Sequence, residues 1–305
     1  MVPLQKKPRK LLLVGDPKQL PATVMSPEAI KYGLPQSLQE RLMYQNRHPY
    51  TMLDVQYRMR PEIASWPVRE FYGGKVEDGN NVVESDYGTR VPLLLDQAPY
   101  TWVPVLGEEL KDSLNSTFNE REAETIVAML LEWKKQHRLG ENKLASPDFI
   151  RIITFYKARE DYLRELLRKY KLDVTLSTVD STQGCEADIV ILSFVRGTSG
   201  HVGFLKDDRR LNVALTRAKY QLVCVGNLDA IRGLATKGGH YTLRSMANDA
   251  FKRAHIVPPP GPLPPPPPPN MPSRTSDSTR KSAKKKSKND KKSSKKKSKR
   301  DMTKK

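Results

Sequence analysis

The sequence predicts an α/β domain, a parallel sheet flanked by helices, that continues into a disordered basic tail. Three observations carry this. Apolar runs of four to seven residues, rich in Val and Ile, alternate along the chain with segments whose apolar residues recur at helical spacing, the order expected when crossover helices join parallel strands. The first of those runs, at 10 to 15, has the pattern of a strand covered on both faces. After position 270 apolar residues almost vanish, and 16 basic against 3 acidic residues supply +13 of the chain's +19 charge, a composition that cannot offset chain entropy by burial.

Taken in order, residues 10 to 15 form an apolar run ending in Gly15-Asp16, the pattern of a buried strand that opens into a loop. Residues 28 to 45 are weakly helical, with breaks at Gly33 and Pro35, and 51 to 55 make a short strand. Pro61 starts a helix in PEIASWPVREFY, whose second half Pro67 threatens. A strand is expected over 91 to 96, and the clearest helix over 119 to 138, where Ala123, Ile126, Val127, Leu130, Leu131 and Trp133 share a face. Strands follow at 149 to 155, 174 to 179, 189 to 195 and 221 to 226, with helices at 158 to 170 and 211 to 219 between them and a last helix ending near Ala254. Pro258 to Pro269, PPPGPLPPPPPP, lacks nearly all backbone donors and is expected to be an extended spacer.

Composition excludes several classes. Cys185 and Cys224 offer no disulfide framework and no zinc spacing, and a reducing compartment fits them. The run Leu11 to Gly15 is too short for a secretory core or a membrane span. The five histidines, at 48, 137, 201, 240 and 255, are scattered, and neither a G-x-S-x-G elbow nor an H-E-x-x-H motif occurs. The basic tail points to a polyanion, nucleic acid before membrane, or to a nuclear-import receptor, against the plainer reading of a solvated charge run.

Four segments carry chemistry: GDPKQLP at 15 to 21, VQYRMRPEI at 55 to 63, STVDSTQGCEADIVI at 177 to 191 and RRLNVALTRAKY at 209 to 220. Each taken singly could be a turn, a solvated loop or a surface arginine. Together and in this order they closely resemble the motifs of superfamily-1 helicases, in the branch containing senataxin and the nonsense-mediated-decay helicase, over roughly residues 10 to 235.

That resemblance implies a RecA-like sheet, the second motor domain of a P-loop NTPase, in a C-terminal motor half that couples ATP hydrolysis to translocation on single-stranded RNA or DNA. It implies a remnant of the first RecA-like domain over 1–50, the second domain over 51–257, a proline-rich linker over 258–272 and a disordered tail over 273–305. Arg58 and Arg217 resemble the arginine fingers that reach the γ-phosphate; always-charged planar forks suit that oxyanion better than lysine does. Gln19 resembles the sensor of the γ-phosphate and attacking water. Tyr57 resembles the aromatic that stacks on adenine, with Glu186 and Gly184 as further nucleotide contacts. Tyr156, Lys157, Ser177 and Thr178 are the expected nucleic-acid contacts, on the opposite edge of the sheet. The family usually has Pro where Phe155 stands, Gln where Arg159 stands and an aromatic where Thr182 stands.

ATP is the implied cofactor, with Mg2+ in the complete motor. The sequence holds no G-x-x-x-x-G-K-[ST] loop, and Gly74-Lys75 is its only Gly-Lys pair. The family places that loop and the Walker-B acids, the Mg2+ ligands, upstream of GDPKQLP, so the expectation is a partner motor domain supplying them and no ATP hydrolysis by residues 1 to 305 alone. The alternative is a non-catalytic nucleic-acid-binding or regulatory protein. The expected location is nuclear, with cytoplasmic as the alternative.

Overall fold

The computed structural model describes residues 5–267 except 85, 95–97, 114–115, 138–143 and 197–200. The expected tail, and the linker beyond 267, lie outside the described residues.

The core is a six-stranded, all-parallel sheet of β3 (Tyr100–Pro104), β6 (Ile150–Thr154), β7 (Thr175–Thr178), β8 (Ala187–Ser193), β9 (Ala218–Gly226) and β10 (His255–Ile256). Its spatial order is β10-β3-β9-β8-β6-β7. Two short pairings stand apart from it: β1 (Val55–Gln56) runs parallel to β2 (Glu77–Asp78), and β4 (Leu110–Lys111) antiparallel to β5 (Thr117–Phe118).

Helices cover both faces. On one lie α1 (Pro61–Tyr72), α4 (Asp208–Leu215), α5 (Leu228–Lys237) and α6 (Tyr241–Arg253), which send Ile63, Leu211, Ile231 and Leu243 against Val190, Leu192, Leu222 and Cys224. On the other lie α2 (Glu120–His137) and α3 (Lys157–Lys169), which send Ile126, Leu130, Leu163 and Leu167 against Ile189, Ile191, Val223 and Val225. Successive residues of β8 and β9 therefore bury on opposite faces, which is why Ile189 to Leu192 and Leu222 to Val225 read as unbroken apolar runs.

Local chemistry sets the helix ends. The Asp207 carboxylate accepts from the backbone N–H groups of Arg209 and Arg210 and starts α4, and Asn227 and Asn119 do the same for α5 and α2. Pro61 occupies the first turn of α1, and Gly73, at φ 61°, ends it in the left-handed region that a side chain disfavours. The helix runs through the buried Pro67, so tertiary packing overrides the expected break.

Three expectations are corrected, and one strand was not foreseen. Residues 10–15 form no strand: Leu12 and Val14 are 86% and 84% exposed, and among the described residues no strand lies alongside to receive their backbone groups. Residues 91–94 of the expected 91–96 strand are also irregular, and 95–96 lie outside the described residues. There the Gln221 side chain replaces a neighbouring strand, its Oε1 accepting from the Leu94 N–H at 2.6 Å and its Nε2 donating to the Leu94 carbonyl at 3.0 Å. The helix expected over 211–219 spans Asp208–Leu215, because residues from Ala218 onward extend β9. β3 went unread, its apolar run masked by Pro99 and Pro104. The described part of the proline-rich segment lies against the body: Leu263 packs on the α2–α3 face, and the Tyr170 hydroxyl donates to the Pro264 carbonyl at 2.6 Å.

Candidate nucleotide site

Sheet register builds the site. Ala187 and Ala218 pair at the amino ends of β8 and β9, so the residues just before them, Glu186 and Arg217, are neighbours, and the Ala187 N–H donates to the Arg217 carbonyl at 3.0 Å. The 55 to 63 segment is pinned to the same edge by the Arg60 N–H, which donates to the Lys219 carbonyl at 2.9 Å, and by the Tyr87 hydroxyl, which donates to the Arg58 carbonyl at 2.7 Å. The 15 to 21 segment arrives through its carbonyls: Lys18 accepts from Asn212 Nδ2 at 2.9 Å and Leu20 from Gln183 Nε2 at 3.1 Å. All four segments meet at one edge.

Arg217 is only 2% exposed. Its guanidinium donates to the Val213 and Cys185 carbonyls at 2.9 and 3.2 Å, to Thr216 Oγ1 at 2.9 Å and to Gln19 Oε1 at 3.4 Å. Every one of those partners is neutral. Burial, and then the like charge of Arg58, lower its pKa to about 10.

Arg58 lies on the other side of Thr216, donating from Nη1 to its carbonyl at 3.1 Å and from Nε to Glu186 Oε2 at 2.6 Å. Lys219 holds the second Glu186 oxygen at 3.0 Å. Burial works to raise the Glu186 carboxyl, but the hydrogen bonds from Lys219 and Arg58 outweigh it and lower its pKa. Glu186 thus faces the two cations.

Gln19 is half-buried, its Nε2 donating to Asp16 Oδ2 at 2.9 Å. Tyr57 is 65% exposed; its carbonyl accepts from Asn81 Nδ2 at 3.0 Å, and its ring lies over Gly79, where a side chain would collide with it. That leaves an open ring face. Gly184, at φ 79°, forms the exposed turn between Gln183 and Cys185.

The expected nucleic-acid set lies at the other ends of these strands: Tyr156 and Lys157 follow β6, and Ser177 and Thr178 close β7. Tyr156 requires a correction. It is 3% exposed, with its ring 5.3 Å from that of Phe204 and its hydroxyl accepting from Arg196 Nε at 2.6 Å, so it presents no open stacking surface. Ser177 is buried and accepts from Arg151. Lys157 and Thr178 reach the surface, Lys157 paired with Glu160 and Asp161 at 3.1 and 3.3 Å.

The departures from the family pattern are all buried. Phe155 joins the core, and Thr182 Oγ1 donates to the Val179 carbonyl at 2.7 Å. Arg159 donates to the Asn119 carbonyl and lies in the field of Glu122, whose Oε2 accepts from Ser193 Oγ at 2.6 Å and the Val195 N–H at 3.0 Å. Sequence reasoning missed Asp16, Asn212 and Lys219 although they stand inside the four segments, and it missed Tyr72 and Glu122, for which no local signal exists.

A parallel sheet with helices on both faces is the architecture of a RecA-like domain, and at the amino ends of its strands it brings two arginines and a glutamine together. The chain belongs to the superfamily-1 helicases of the Sen1 and nonsense-mediated-decay type. A family model described as an AAA domain matches residues 34–229, and a second of the same description matches 1–27. The chain is 35% identical over 272 residues to helicase sen1 of Schizosaccharomyces pombe, covering 85% of this chain and 15% of that protein. It is 36% identical over 237 residues to the regulator of nonsense transcripts 1 homolog of Drosophila melanogaster, covering 74% and 19%. It is 34% identical over 242 residues to an uncharacterized ATP-dependent helicase of Methanocaldococcus jannaschii, covering 76% and 34%. The chain therefore spans from 15% to 34% of the length of these relatives.

Proposed function

We propose that this chain is the C-terminal motor half of an ATP-dependent RNA or DNA helicase, in which ATP hydrolysis drives movement along a single strand. One observation carries the reading: a buried guanidinium, Arg217, with only neutral hydrogen-bond partners and a second arginine close by. A buried cation so placed, with a second cation beside it, is costly unless an anion meets it directly, and a terminal phosphate is an anion shaped for planar forks.

The residues fit ATP on that ground. Arg58 and Arg217 meet the γ-phosphate and stabilise the charge that develops on the transferred oxygens, while Gln19 senses the γ-phosphate and the attacking water. Tyr57 offers its free face to adenine. Glu186 restrains Arg58 and Lys219 until the nucleotide competes for them, and Gly184 gives the turn beside it the freedom to move. Mg2+ accompanies the phosphates, with its protein ligands on the partner motor domain, to which residues 1–50 belong. RNA or DNA crosses the opposite edge by way of Lys157 and Thr178, with Ser177 beneath. The segment over 258–272 links the motor to the lysine-rich tail over 273–305, which serves nuclear import or anchors the strand, and the protein acts in RNA processing in the nucleus.

The test is strand-stimulated ATP turnover by the longest natural product containing this chain. Arg217→Ala is expected to lower kcat by about three orders of magnitude, the worth of an arginine finger, with nucleotide affinity largely kept. An unchanged kcat would overturn the assignment.

A further inference from the structure

We propose that Tyr72 is a positioning residue: its hydroxyl holds the Asp16 carboxylate, and through it the Gln19 side chain, in the orientation that turns the Gln19 amide oxygen toward Arg217. The inference rests on the reading of Gln19 given above and extends it to a residue outside the four motif segments.

The two ends of a glutamine amide are nearly equal in size, so packing does not choose between them; hydrogen-bond partners do. Here each end has a partner of fixed character. An ionised Asp16 only accepts, and its Oδ2 takes Gln19 Nε2 at 2.9 Å. An arginine only donates, and Arg217 Nη2 meets Gln19 Oε1 at 3.4 Å. The amide therefore has one allowed sense, provided that Asp16 stays in place.

What keeps it there is Tyr72. Its hydroxyl donates to the same Oδ2 at 2.6 Å, the shortest contact that the carboxylate makes, and accepts from Asn212 Nδ2 at 3.0 Å. The Lys18 N–H holds Oδ1 at 2.9 Å. Asn212 is fully buried on α4, and its Nδ2 also donates to the Lys18 carbonyl at 2.9 Å. The last residue of α1 thus ties the 15 to 21 segment to the helix that leads into Arg217. Burial, and then the bond to Asp16, push the Tyr72 phenol up to about 12, so its proton stays available to Asp16 throughout the physiological range.

The experiment uses the whole chain, isotopically labelled, and reads the Gln19 side chain by NMR. In the native protein the two Gln19 amide protons are expected to be widely separated, one of them shifted by Asp16. Tyr72→Phe removes one oxygen and no ring contact; it is expected to narrow that separation and to speed exchange of the Gln19 amide protons with solvent by about tenfold, while other backbone resonances hold. A folded Tyr72→Phe chain with an unchanged Gln19 pair would overturn the proposal. Should the variant not fold, the hydroxyl proton of Tyr72 is followed in the native chain: a slowly exchanging resonance that moves in Asp16→Asn supports the proposal, and one indifferent to Asp16→Asn sinks it. Neither readout involves ATP turnover, so failure of the helicase reading and failure of this one give different results.

Discussion

A polyphosphate should stabilise the folded chain, and the gain should pass through Arg217. Lowering this guanidinium from its ordinary range to about 10 corresponds to about 3 kcal/mol against its charged form in the folded state. The sign follows from linkage: the unfolded chain binds this proton more tightly, so the cost is fully present below about pH 10 and is relieved only as pH rises from there toward the ordinary arginine range. At neutral pH all of it stands. An anion seated between Arg217 and Arg58 recovers part or all of that sum, which for a chain of this size raises Tm by about 5 to 10 °C. The assay is a thermal melt at low ionic strength with increasing tripolyphosphate and, separately, ATP. Binding of the same anions to the basic tail should not enter, because a tail engaged equally in folded and unfolded chains cancels from the stability. Arg217→Ala should abolish most of the shift, and Arg58→Ala, whose guanidinium is already shared with Glu186, should abolish a smaller part. An Arg217→Ala chain that keeps the full shift would refute the reasoning.

Three further outcomes are expected. Burial raises the Glu122 carboxyl from 4.5 to about 6, so the folded chain holds this proton more tightly and loses about 2 kcal/mol as pH rises from 4.5 through 6; urea midpoints at pH 4.5 and 7 should show that loss in the native chain and not in Glu122→Gln. Gln221→Ala strips the Leu94 backbone of both partners in a buried site and should cost about 2 to 3 kcal/mol, read from denaturant unfolding; a cost under about 0.5 kcal/mol would mean that water replaces the amide. Burial raises the Cys224 thiol, whereas Cys185 is half-buried, so an alkylating reagent at pH 8 should modify one thiol in the native protein and the second only after unfolding; two fast reactions would contradict the buried placement.

Much of the fold was legible before any coordinates, and the reason is physical. β6, β8 and β9 face helices on both sides, and such strands are apolar along most of their length, so Ile152-Ile153, Ile189 to Leu192 and Leu222 to Val225 announced themselves locally. The four motif segments were legible because their residues and their order together resemble those of a known family. β3 escaped notice because its prolines look like breaks, although Pro104 stands at the very end of the strand.

The tertiary structure decided which residues answer one another. Arg58 and Glu186 are 128 positions apart and Gln19 and Arg217 are 198 apart, so their meeting depends on the β8–β9 register, which no local pattern encodes. Phe204 and Arg196, brought from distant parts of the chain, close over Tyr156, while residues 10–15 have no ladder among the described residues. Period and polarity along a chain fix which face a residue shows, whereas the identity of its partner is set by strands and helices that close only when the whole sheet forms.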